Sequence, residues 1–450
     1  MTRKLFGTDG IRGLANRGDM TPEVAFRIGA AIAYQAGRRV KHVPRIVVGK
    51  DTRLSGYLFE TAVASGICAL GGEVLLSGPL PTPAIAHLTT SMRADAGFVI
   101  SASHNPYQDN GIKIFGPDGF KLPDAVEHEI EELVFGSDLD AKRPTGTRVG
   151  RAERLDDAPG RYVAFVKASF PDELTLEGVR IVVDAAHGAA YRTAPLVFSE
   201  LGATTHAIGV RPNGKNINHK VGALHPENCA REVRRRNADL GIALDGDADR
   251  VMIIDEKGVV ADGDQFMALI ADRWASEGRL LKGTLVSTVM SNLGLERHLQ
   301  GRGLSLLRTA VGDRYVVEAM RDGGYNLGGE QSGHIVMTDY VTTGDGLIAG
   351  LQFLSAMVET GKRASELAQV FTPFPQLLQN VRYRNGAAPL EQDSVIAAIA
   401  AGEARMNGSG RLVIRKSGTE PLVRIMGECE DADLLREIVG GIETEVAKFA

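Results

Sequence analysis

Cysteine and long apolar runs are scarce in this chain of 450 residues. Its three cysteines, Cys68, Cys229 and Cys429, have no CxxC spacing, which excludes a disulfide framework and a zinc cluster. No apolar run approaches the ~18 residues of a membrane span, and the opening residues MTRKLFGTDG lack the apolar segment of a signal peptide. We therefore expect a soluble protein of the reducing cytoplasm, without a membrane partner.

A basic excess is also missing, because 51 lysines and arginines stand against 56 acidic residues. Nucleic-acid binding needs such an excess or a long basic stripe, so we expect no nucleic-acid partner. The one dense basic cluster, at 231–236, is interpreted as a solvated helix face. At about 100–200 residues per domain, the length predicts two to four domains. An apolar content of 44% supplies cores for them.

One pattern recurs along the chain: a short β-branched run, a polar or glycine-rich loop and an amphipathic segment of helix length. The octapeptides ADAGFVIS at 94–101 and ADLGIALD at 238–245 match in register, and GYNLGGE at 324–330 matches them more weakly. Strands that alternate with helices predict mostly parallel sheets, with ligands beyond the carboxyl ends of the strands. The three loops that follow these segments are therefore candidate sites, and the tail from about 372 predicts a small α+β domain.

The loop after the second octapeptide carries three alternating aspartates, Asp245, Asp247 and Asp249. Alternate side chains of an extended stretch lie on one side, so these carboxylates can converge. Clustered carboxylates repel one another unless a cation lies among them, and oxygen ligands suit Mg²⁺. An EF-hand is excluded because Arg250 occupies the position of the required glycine and a strand resumes at Val251. The triplet predicts a metal site, with a plain surface turn as the alternative.

The loop after the first octapeptide places Ser103 in register with Asp247. That correspondence favours a functional hydroxyl over an ordinary turn. A serine needs a base or strong electrostatic help to act as a nucleophile, and His104 and Lys113 are both candidates. The chain has no GxSxG elbow and no Walker motif, so the aspartates favour phosphate chemistry other than P-loop nucleotide hydrolysis.

Two further segments concentrate polar groups. The heptapeptide RKSGTEP at 415–421 combines two cations, two hydroxyls and a glycine, the composition of a phosphate-binding nest. A plain hairpin turn is the alternative for this segment. The hexapeptide GEQSGH at 329–334 supplies a carboxylate, an amide, a hydroxyl and an imidazole, which suit the hydroxyls of a sugar.

Five motifs in this order and spacing resemble those of the α-D-phosphohexomutase superfamily, and most closely its bacterial phosphoglucosamine mutase branch: FGTDGIRG at 6–13, SASHNP at 101–106, DGDADR at 245–250, GEQSGH at 329–334 and RKSGTEP at 415–421. The resemblance covers the chain from residue 4 to the final helix. It implies three successive mixed α/β domains of related topology and a smaller C-terminal α+β domain, arranged around a central cleft. The implied domains are 1–155 with the catalytic serine loop, 156–256 with the metal-binding loop, 257–370 with the sugar-binding loop and 371–450 with the phosphate-binding loop.

The resemblance also implies roles for individual residues. Ser103 would be the phosphorylated residue, and its phosphate would hold Mg²⁺ together with the three aspartates. Lys113 would be the general acid/base. Arg12, His104 and Arg250 would supply supporting charges, and Arg250 would also contact the substrate. Sugar binding would fall to Glu330, Ser332 and His334. The clamp on the non-reacting phosphate would consist of Arg415, Ser417, Gly418 and Thr419.

The implied reaction interconverts glucosamine 6-phosphate and glucosamine 1-phosphate through a phosphoserine enzyme and glucosamine 1,6-bisphosphate. It would supply amino sugar for UDP-N-acetylglucosamine and cell-wall synthesis. A phosphomannomutase/phosphoglucomutase is the alternative, but Gln331 replaces a methionine common in that sibling branch and favours the amino sugar. Ala248, where many relatives carry glycine, is expected to disturb the metal loop little.

The implied cofactors are one Mg²⁺ per chain and a sugar 1,6-bisphosphate primer, and the implied partner is a phosphosugar substrate. An activating kinase or autophosphorylation, and a homodimer, are left open. Two other classes of protein also remain. One is an aspartyl-phosphate phosphatase that uses Asp247 and Asp249 as nucleophile and acid, and the other is a sugar-phosphate sensor without catalysis.

Overall fold

The computed structural model of the chain describes residues 5–7, 9–384, 387–416 and 421–449. The chain forms two units, of which the first comprises Met1–Thr288 and Thr309–Val370 and the second Val289–Arg308 and Phe371–Ala450. Among the helices of the described residues, none has the length and apolar content that a membrane span requires.

The first sheet has six strands: β1 (Ile11–Leu14), β2 (Arg45–Lys50), β3 (Glu73–Pro79), β4 (Ala96–Ile100), β5 (Asp109–Phe115) and β6 (Arg151–Arg154). Their order is β1-β5-β4-β2-β3-β6. Strand β2 pairs in parallel with β3 and β4, whereas β5 is antiparallel to both of its neighbours. The accompanying helices are α1 (Pro22–Arg39), α2 (Gly56–Ala69), α3 (Thr82–Ser91) and α4 (Asp124–Phe135).

Helix α1 shows how the sequence specifies an element at this sheet. Thr21 caps its N-terminus by accepting a hydrogen bond from the amide of Val24, and Pro22 opens the first turn, where no amide donor is needed. One face of the helix is rich in alanine and isoleucine and is buried. This face packs in the core of the first sheet together with side chains such as Phe59 and Phe98.

The second sheet has the order β11-β10-β9-β7-β8, with strands β7 (Arg180–Asp184), β8 (Thr204–Ile208), β9 (Leu240–Leu244), β10 (Val251–Asp255) and β11 (Val260–Ala261). Strand β7 is parallel to β8 and β9, and β10 is antiparallel to β9. The helices of this segment are α5 (Ala158–Lys167), α6 (Thr193–Glu200) and α7 (Glu227–Arg236). The arginines at 231 and 234–236 lie exposed on α7, which agrees with the interpretation of a solvated face.

The third segment contains strands β12 (Thr284–Thr288), β13 (Ser305–Thr309), β14 (Leu327–Gly329) and β15 (Ile335–Met337). Strand β12 is parallel to β14, and β14 is antiparallel to β15. Its helices are α8 (Gly263–Ser276), α9 (Leu293–Gly301), α10 (Asp313–Gly323), α11 (Gly346–Thr360) and α12 (Ala364–Leu367). Single 3₁₀ turns lie at Asp140–Lys142, Gly146–Arg148, Leu281–Gly283 and Pro389–Glu391.

The C-terminal tail forms an antiparallel sheet in the order β16-β18-β17, from β16 (Gln376–Arg382), β17 (Gly410–Lys416) and β18 (Leu422–Cys429). Its helices are α13 (Asp393–Met406) and α14 (Ala432–Ala447), and Asp431 caps α14 by accepting from two backbone amides. Val423 and Ile425 of the sheet and Val439 of α14 are buried in one core. The predicted α+β tail is confirmed.

The predicted fold class, three mixed α/β domains followed by a smaller C-terminal α+β domain, is confirmed, whereas the domain boundaries stay predictions. The sheets are less parallel than expected. The strand after each of β4, β9 and β14 is antiparallel to it. The reason is loop length, because a parallel connection needs a crossover of a dozen or more residues. Each of the three polar loops therefore connects two adjacent antiparallel strands.

Candidate active site

The serine loop leaves the carboxyl end of β4 and holds Ser103 in the left-handed region, with φ of 49°. This conformation is costly for a residue other than glycine and is found at functional sites. Ser103 is buried, and its amide donates to the Ser101 hydroxyl at 2.9 Å. Its own hydroxyl donates to Asp245 Oδ2 at 2.6 Å and lies 3.3 Å from His104 Nδ1. The loop thus fixes this hydroxyl against the metal loop.

Arg53 anchors the backbone of the serine loop. Its buried guanidinium donates to the carbonyl oxygens of Ser103 at 2.8 Å and Asn105 at 2.9 Å, and also to those of Pro106 and Asp109. The same side chain pairs with buried Asp51 at 2.7 Å. Arg53 was not predicted from the sequence, although the polar run DTR at 51–53 directly follows the carboxyl end of β2, the edge where functional groups were expected.

Replacing Arg53 is expected to destabilise the protein strongly. The Arg53→Met variant leaves Asp51 as a buried charge without its partner and removes the donors of the loop carbonyls. A loss of about 3–5 kcal/mol in the free energy of unfolding follows from breaking such a buried pair. Chemical denaturation followed by circular dichroism measures it. Arg151→Met, at an exposed arginine of the same sheet, is the control and is expected to change stability by less than about 0.5 kcal/mol.

The three aspartates of the metal loop follow β9 and are all buried. Each offers a carboxylate oxygen within 4.8 Å of those of the other two. Within the described part of the chain, Oδ1 of Asp247 and Oδ1 of Asp249 are buried without a hydrogen-bond partner. Buried carboxylate oxygens that lack a donor suit a hard divalent cation, which prefers oxygen ligands. The donor set therefore fits Mg²⁺, as the sequence predicted.

The serine and metal loops approach each other closely at Gly246. A Cβ atom at this position would lie 2.5 Å from the Ser103 carbonyl oxygen, so only glycine allows the two backbones to meet. Asn218 reinforces this junction by donating to the same carbonyl at 2.8 Å. The glycine of the aspartate motif thus has a packing role beside the ligands.

Lys113 lies on β5 opposite Val99 of β4 and is buried. Its Nζ lies 3.0 Å from Asp247 Oδ2 and 3.0 Å from Asp249 Oδ2. Burial disfavours its charged form, but the two aspartates outweigh burial and raise the pKa of Lys113 well above its usual value. The amine is therefore held protonated against the metal loop, in the state of a proton donor.

His104 has the opposite electrostatic surroundings. Burial and the charges of Arg250 and Arg12 lower the pKa of His104 to about 4. These surroundings favour the neutral ring, and the role of His104 as a supporting charge stays a prediction. Of the two candidates for a base, His104 is the one that lies beside the Ser103 hydroxyl, whereas Lys113 contacts the aspartates.

The two arginines near this histidine each keep a free donor. Among the described residues, the Nε atoms of Arg12 and Arg250 are buried and have no hydrogen-bond partner. The Arg12 guanidinium pairs with Asp9, and Arg250 Nε lies 4.0 Å from Asp249 Oδ1. Unpartnered guanidinium donors favour a phosphate ligand.

The predicted sugar loop connects β14 to β15. Glu330 accepts hydrogen bonds from the Gly312 amide at 3.2 Å and the Ser332 hydroxyl at 3.3 Å. His334 Nδ1 lies 3.7 Å from Asp249 Oδ1, so this loop meets the metal loop. The amide nitrogen of Gln331 donates to Asp262, which caps α8.

Several side chains at this site were not predicted from the sequence. Thr82, the first residue of α3, donates to Asp247 Oδ2 at 2.6 Å. Asp9 lies 3.5 Å from Lys113 and also pairs with Lys121, which in turn lies 2.5 Å from Asp313. The signal for Asp9 was available, because it lies inside the FGTDGIRG motif. Lys121 and Asp313 belong to no motif that the sequence singled out.

The predicted phosphate clamp belongs to the second unit. Arg415 on β17 lies opposite Arg424 on β18, and burial together with the charge of Arg424 lowers the pKa of Arg415. In the described part of the chain, Arg424 Nε is buried without a partner. Two adjacent cations with a free donor favour an anion. Ser417, Gly418 and Thr419 lie outside the described residues.

Family models match almost the whole chain. The models of phosphoglucomutase/phosphomannomutase alpha/beta/alpha domains I, II and III match residues 3–140, 160–258 and 262–374. The model of the C-terminal domain of the same proteins matches residues 378–444. The fold and the site thus define a phosphohexomutase, an enzyme of the isomerase class.

A curated relative shows to which branch of the phosphohexomutases the chain belongs. The chain is 62% identical to phosphoglucosamine mutase of Paracoccus denitrificans over 450 residues, which cover 100% of each chain. It therefore belongs to the phosphoglucosamine mutase family of that superfamily. In fold it is similar to a phosphoglucomutase/phosphomannomutase family protein of Burkholderia thailandensis, with a TM-score of 0.79, 24% identity and coverage of 98% and 97% of the two chains. A further match is Aspergillus fumigatus N-acetylphosphoglucosamine mutase in complex with GlcNAc-6P and magnesium, with a TM-score of 0.68, 17% identity and coverage of 99% and 96%.

Proposed function

We propose that the chain interconverts glucosamine 6-phosphate and glucosamine 1-phosphate through phosphorylated Ser103 and glucosamine 1,6-bisphosphate. The observation that carries this proposal is the Ser103 hydroxyl, held 2.6 Å from Asp245 at a cluster of three buried carboxylates. The name of the Paracoccus denitrificans relative supports the amino-sugar substrate. In an aspartyl-phosphate phosphatase the buried Ser103 would have no catalytic role.

The chemical step moves one phosphoryl group between Ser103 and the sugar. The bond between phosphorus and Ser103 Oγ breaks, a bond from phosphorus to a sugar hydroxyl oxygen forms, and that hydroxyl loses its proton while Ser103 Oγ takes one up. Such a transfer depends mainly on positioning and charge neutralisation. The free donors of Arg12 and Arg250 are suited to hold the transferring group.

Two titratable side chains are placed for the proton movements. Lys113, whose Nζ lies 3.0 Å from Asp247 and Asp249, is proposed as the general acid/base because of this place at the metal loop. The neutral ring of His104, 3.3 Å from Ser103 Oγ, is the neighbour able to receive a proton from the hydroxyl. A Mg²⁺ held by the three aspartates and the seryl phosphate would neutralise charge that develops on the phosphoryl group. A sugar 1,6-bisphosphate would prime the enzyme by phosphorylating Ser103.

A mutase also needs a site for the phosphate that does not react. We assign it to the clamp around Arg415, supported by the neighbouring Arg424 with its free donor. Since the intermediate carries a phosphate at both ends, it must turn over before it returns one of them to Ser103. A sensor would need the clamp but not the serine, the lysine and the aspartates together.

The amino-sugar preference predicts a measurable difference between substrates. The 2-amino group is cationic near neutral pH, and Glu330 offers a buried carboxylate within the predicted sugar loop. With matched bisphosphate primers, we expect kcat/KM for glucosamine 1-phosphate to exceed that for glucose and mannose 1-phosphates by about 10- to 100-fold.

A pair of variants tests the source of this preference. Glu330→Gln should reduce the ratio, whereas Glu318→Gln, at an exposed position on α10, should leave it unchanged. An equal or greater kcat/KM for glucose or mannose 1-phosphate in the wild-type protein would assign the chain the sibling phosphomannomutase/phosphoglucomutase activity, with the roles of Ser103 and the aspartates retained.

We further propose that the enzyme acts in the cytoplasm on soluble sugar phosphates. Activation by a kinase or by autophosphorylation and assembly into a homodimer stay predictions. Mass spectrometry of the isolated protein and analytical ultracentrifugation address them directly.

A further inference from the structure

A closed ring of alternating acidic and basic side chains surrounds one side of the candidate active site. Each member is buried or mostly buried and lies within 3.7 Å of both of its neighbours in the ring. His334 Nε2 also accepts a hydrogen bond from the Gly344 amide at 3.2 Å, so its approach to Asp313 is a contact rather than a hydrogen bond. In order around the ring, the members are Asp9, Lys113, Asp249, His334, Asp313 and Lys121.

Lys121 and Asp313 form a bridge within the ring that was not predicted from the sequence. Lys121 Nζ lies 2.5 Å from Asp313 Oδ2 and also contacts Asp9 Oδ1. Asp313, the first residue of α10, has its Oδ2 3.6 Å from His334 Nε2. The bridge therefore joins a residue before the first sheet to the loop that follows β14.

The other half of the ring consists of groups already assigned to the reaction. Lys113 Nζ lies 3.5 Å from Asp9 Oδ2 and 3.0 Å from Asp249 Oδ2. Asp9 Oδ2 thus contacts both Lys113 and Arg12, whereas Asp9 Oδ1 contacts Lys121. Without Lys121, Asp9 would have one lysine fewer and would draw Lys113 away from the aspartate triplet.

We propose that Lys121 and Asp313 are positioning residues of the phosphoryl-transfer site, which hold Asp9 and His334 and through them fix Lys113 against the metal loop. This inference rests on the proposed function. Removing a residue that orients a group in direct contact with the metal or substrate commonly lowers activity by about 10- to 100-fold. Because neither residue is assigned a contact with substrate, the loss should fall on kcat rather than on KM.

The experiment compares Lys121→Met with Lys121→Arg in the full-length enzyme. The rate is divided by the amount of phosphorylated Ser103, determined by intact mass, so that inactive molecules do not count. We expect Lys121→Met to lower kcat by about 10- to 100-fold with KM close to that of the wild type. Lys121→Arg keeps a cation with several donors and should recover most of the rate.

A double variant tests whether the two bridge residues act as a unit. Asp313→Asn should also lower kcat, and combining it with Lys121→Met should cost little more than the worse single change. The control is Arg321→Gln, which removes an exposed pair with Asp118 between the same two segments. Its kcat should equal that of the wild type.

Three results would overturn the proposal: an unchanged kcat per phosphorylated Lys121→Met enzyme, multiplicative losses in the double variant, or an equal loss in Arg321→Gln. A wild-type enzyme without turnover on any hexose phosphate would instead overturn the proposed function itself, so the two failures are distinguishable.

Discussion

The Ser103→Ala variant is expected to lose isomerisation, by at least about a thousandfold, while it keeps its fold. Alanine removes the oxygen that carries the phosphoryl group in the proposed reaction. The loop should persist, because Arg53 and Asn218 bind the carbonyl oxygen of residue 103 rather than its side chain.

The measurement combines turnover with peptide mapping after incubation with a labelled bisphosphate. We expect label on the peptide that contains Ser103 in the wild type and none in the variant. Ser77→Ala, at a half-buried serine on β3 whose hydroxyl donates to the backbone carbonyl oxygens of Val48 and Gly78, is the control and should retain both turnover and label. Label on an aspartate with undiminished activity of Ser103→Ala would favour the phosphatase alternative.

The convergence of the metal loop could be predicted from the sequence because it depends on local geometry. Asp245, Asp247 and Asp249 follow a buried strand directly, and the structure places their oxygens within 4.8 Å of one another. The predicted extended stretch was wrong, because residues 246–249 form turns and bends, with Ala248 left-handed. The same holds for the serine loop, whose position follows from its register with the metal loop. Neither prediction needed contacts between distant parts of the chain.

The bridge of Lys121 and Asp313 could not be predicted in this way. The two residues are 192 positions apart, and each lies outside the motifs that mark the site. Their contact depends on how the segment after β5 packs against α10, which no local pattern specifies. Arg53 differs, since it follows a strand end and was overlooked although the signal was present.

Backbone strain at Ala248 is another feature that the sequence concealed. The expectation that alanine disturbs the loop little did not include its φ of 57°, a left-handed conformation that costs an L-residue roughly 1–2 kcal/mol. The loop tolerates it, because the Ala248 carbonyl accepts the Gly346 amide at 2.9 Å and its amide donates to Asp245. Tertiary hydrogen bonds thus support a conformation that local preference disfavours.

The Asp247→Asn variant tests the metal site and is expected to lower activity by at least about a hundredfold. Oδ2 of Asp247 already accepts from Thr82 and Lys113, which leaves Oδ1 as the oxygen available to a cation. In asparagine one of these two oxygens becomes an amide nitrogen with two hydrogens. The amide must then either face the cation, which needs an acceptor, or face Lys113, which is itself a donor.

Both orientations remove a negative charge from the site, so Mg²⁺ affinity should fall by about tenfold or more. Calorimetry without substrate and the Mg²⁺ dependence of kcat both measure this affinity.

The matched control is Asp239→Asn. Asp239 lies one residue before β9, at the opposite end of the strand, and pairs with exposed Arg180. This substitution changes the net charge of the protein by the same amount. An equal shift of Mg²⁺ binding in both variants would show that the effect comes from overall charge. Wild-type Mg²⁺ binding by Asp247→Asn would show that the triplet does not hold the ion. A loss confined to Asp247→Asn would assign the ligand to the one position in the loop that contacts both Lys113 and α3.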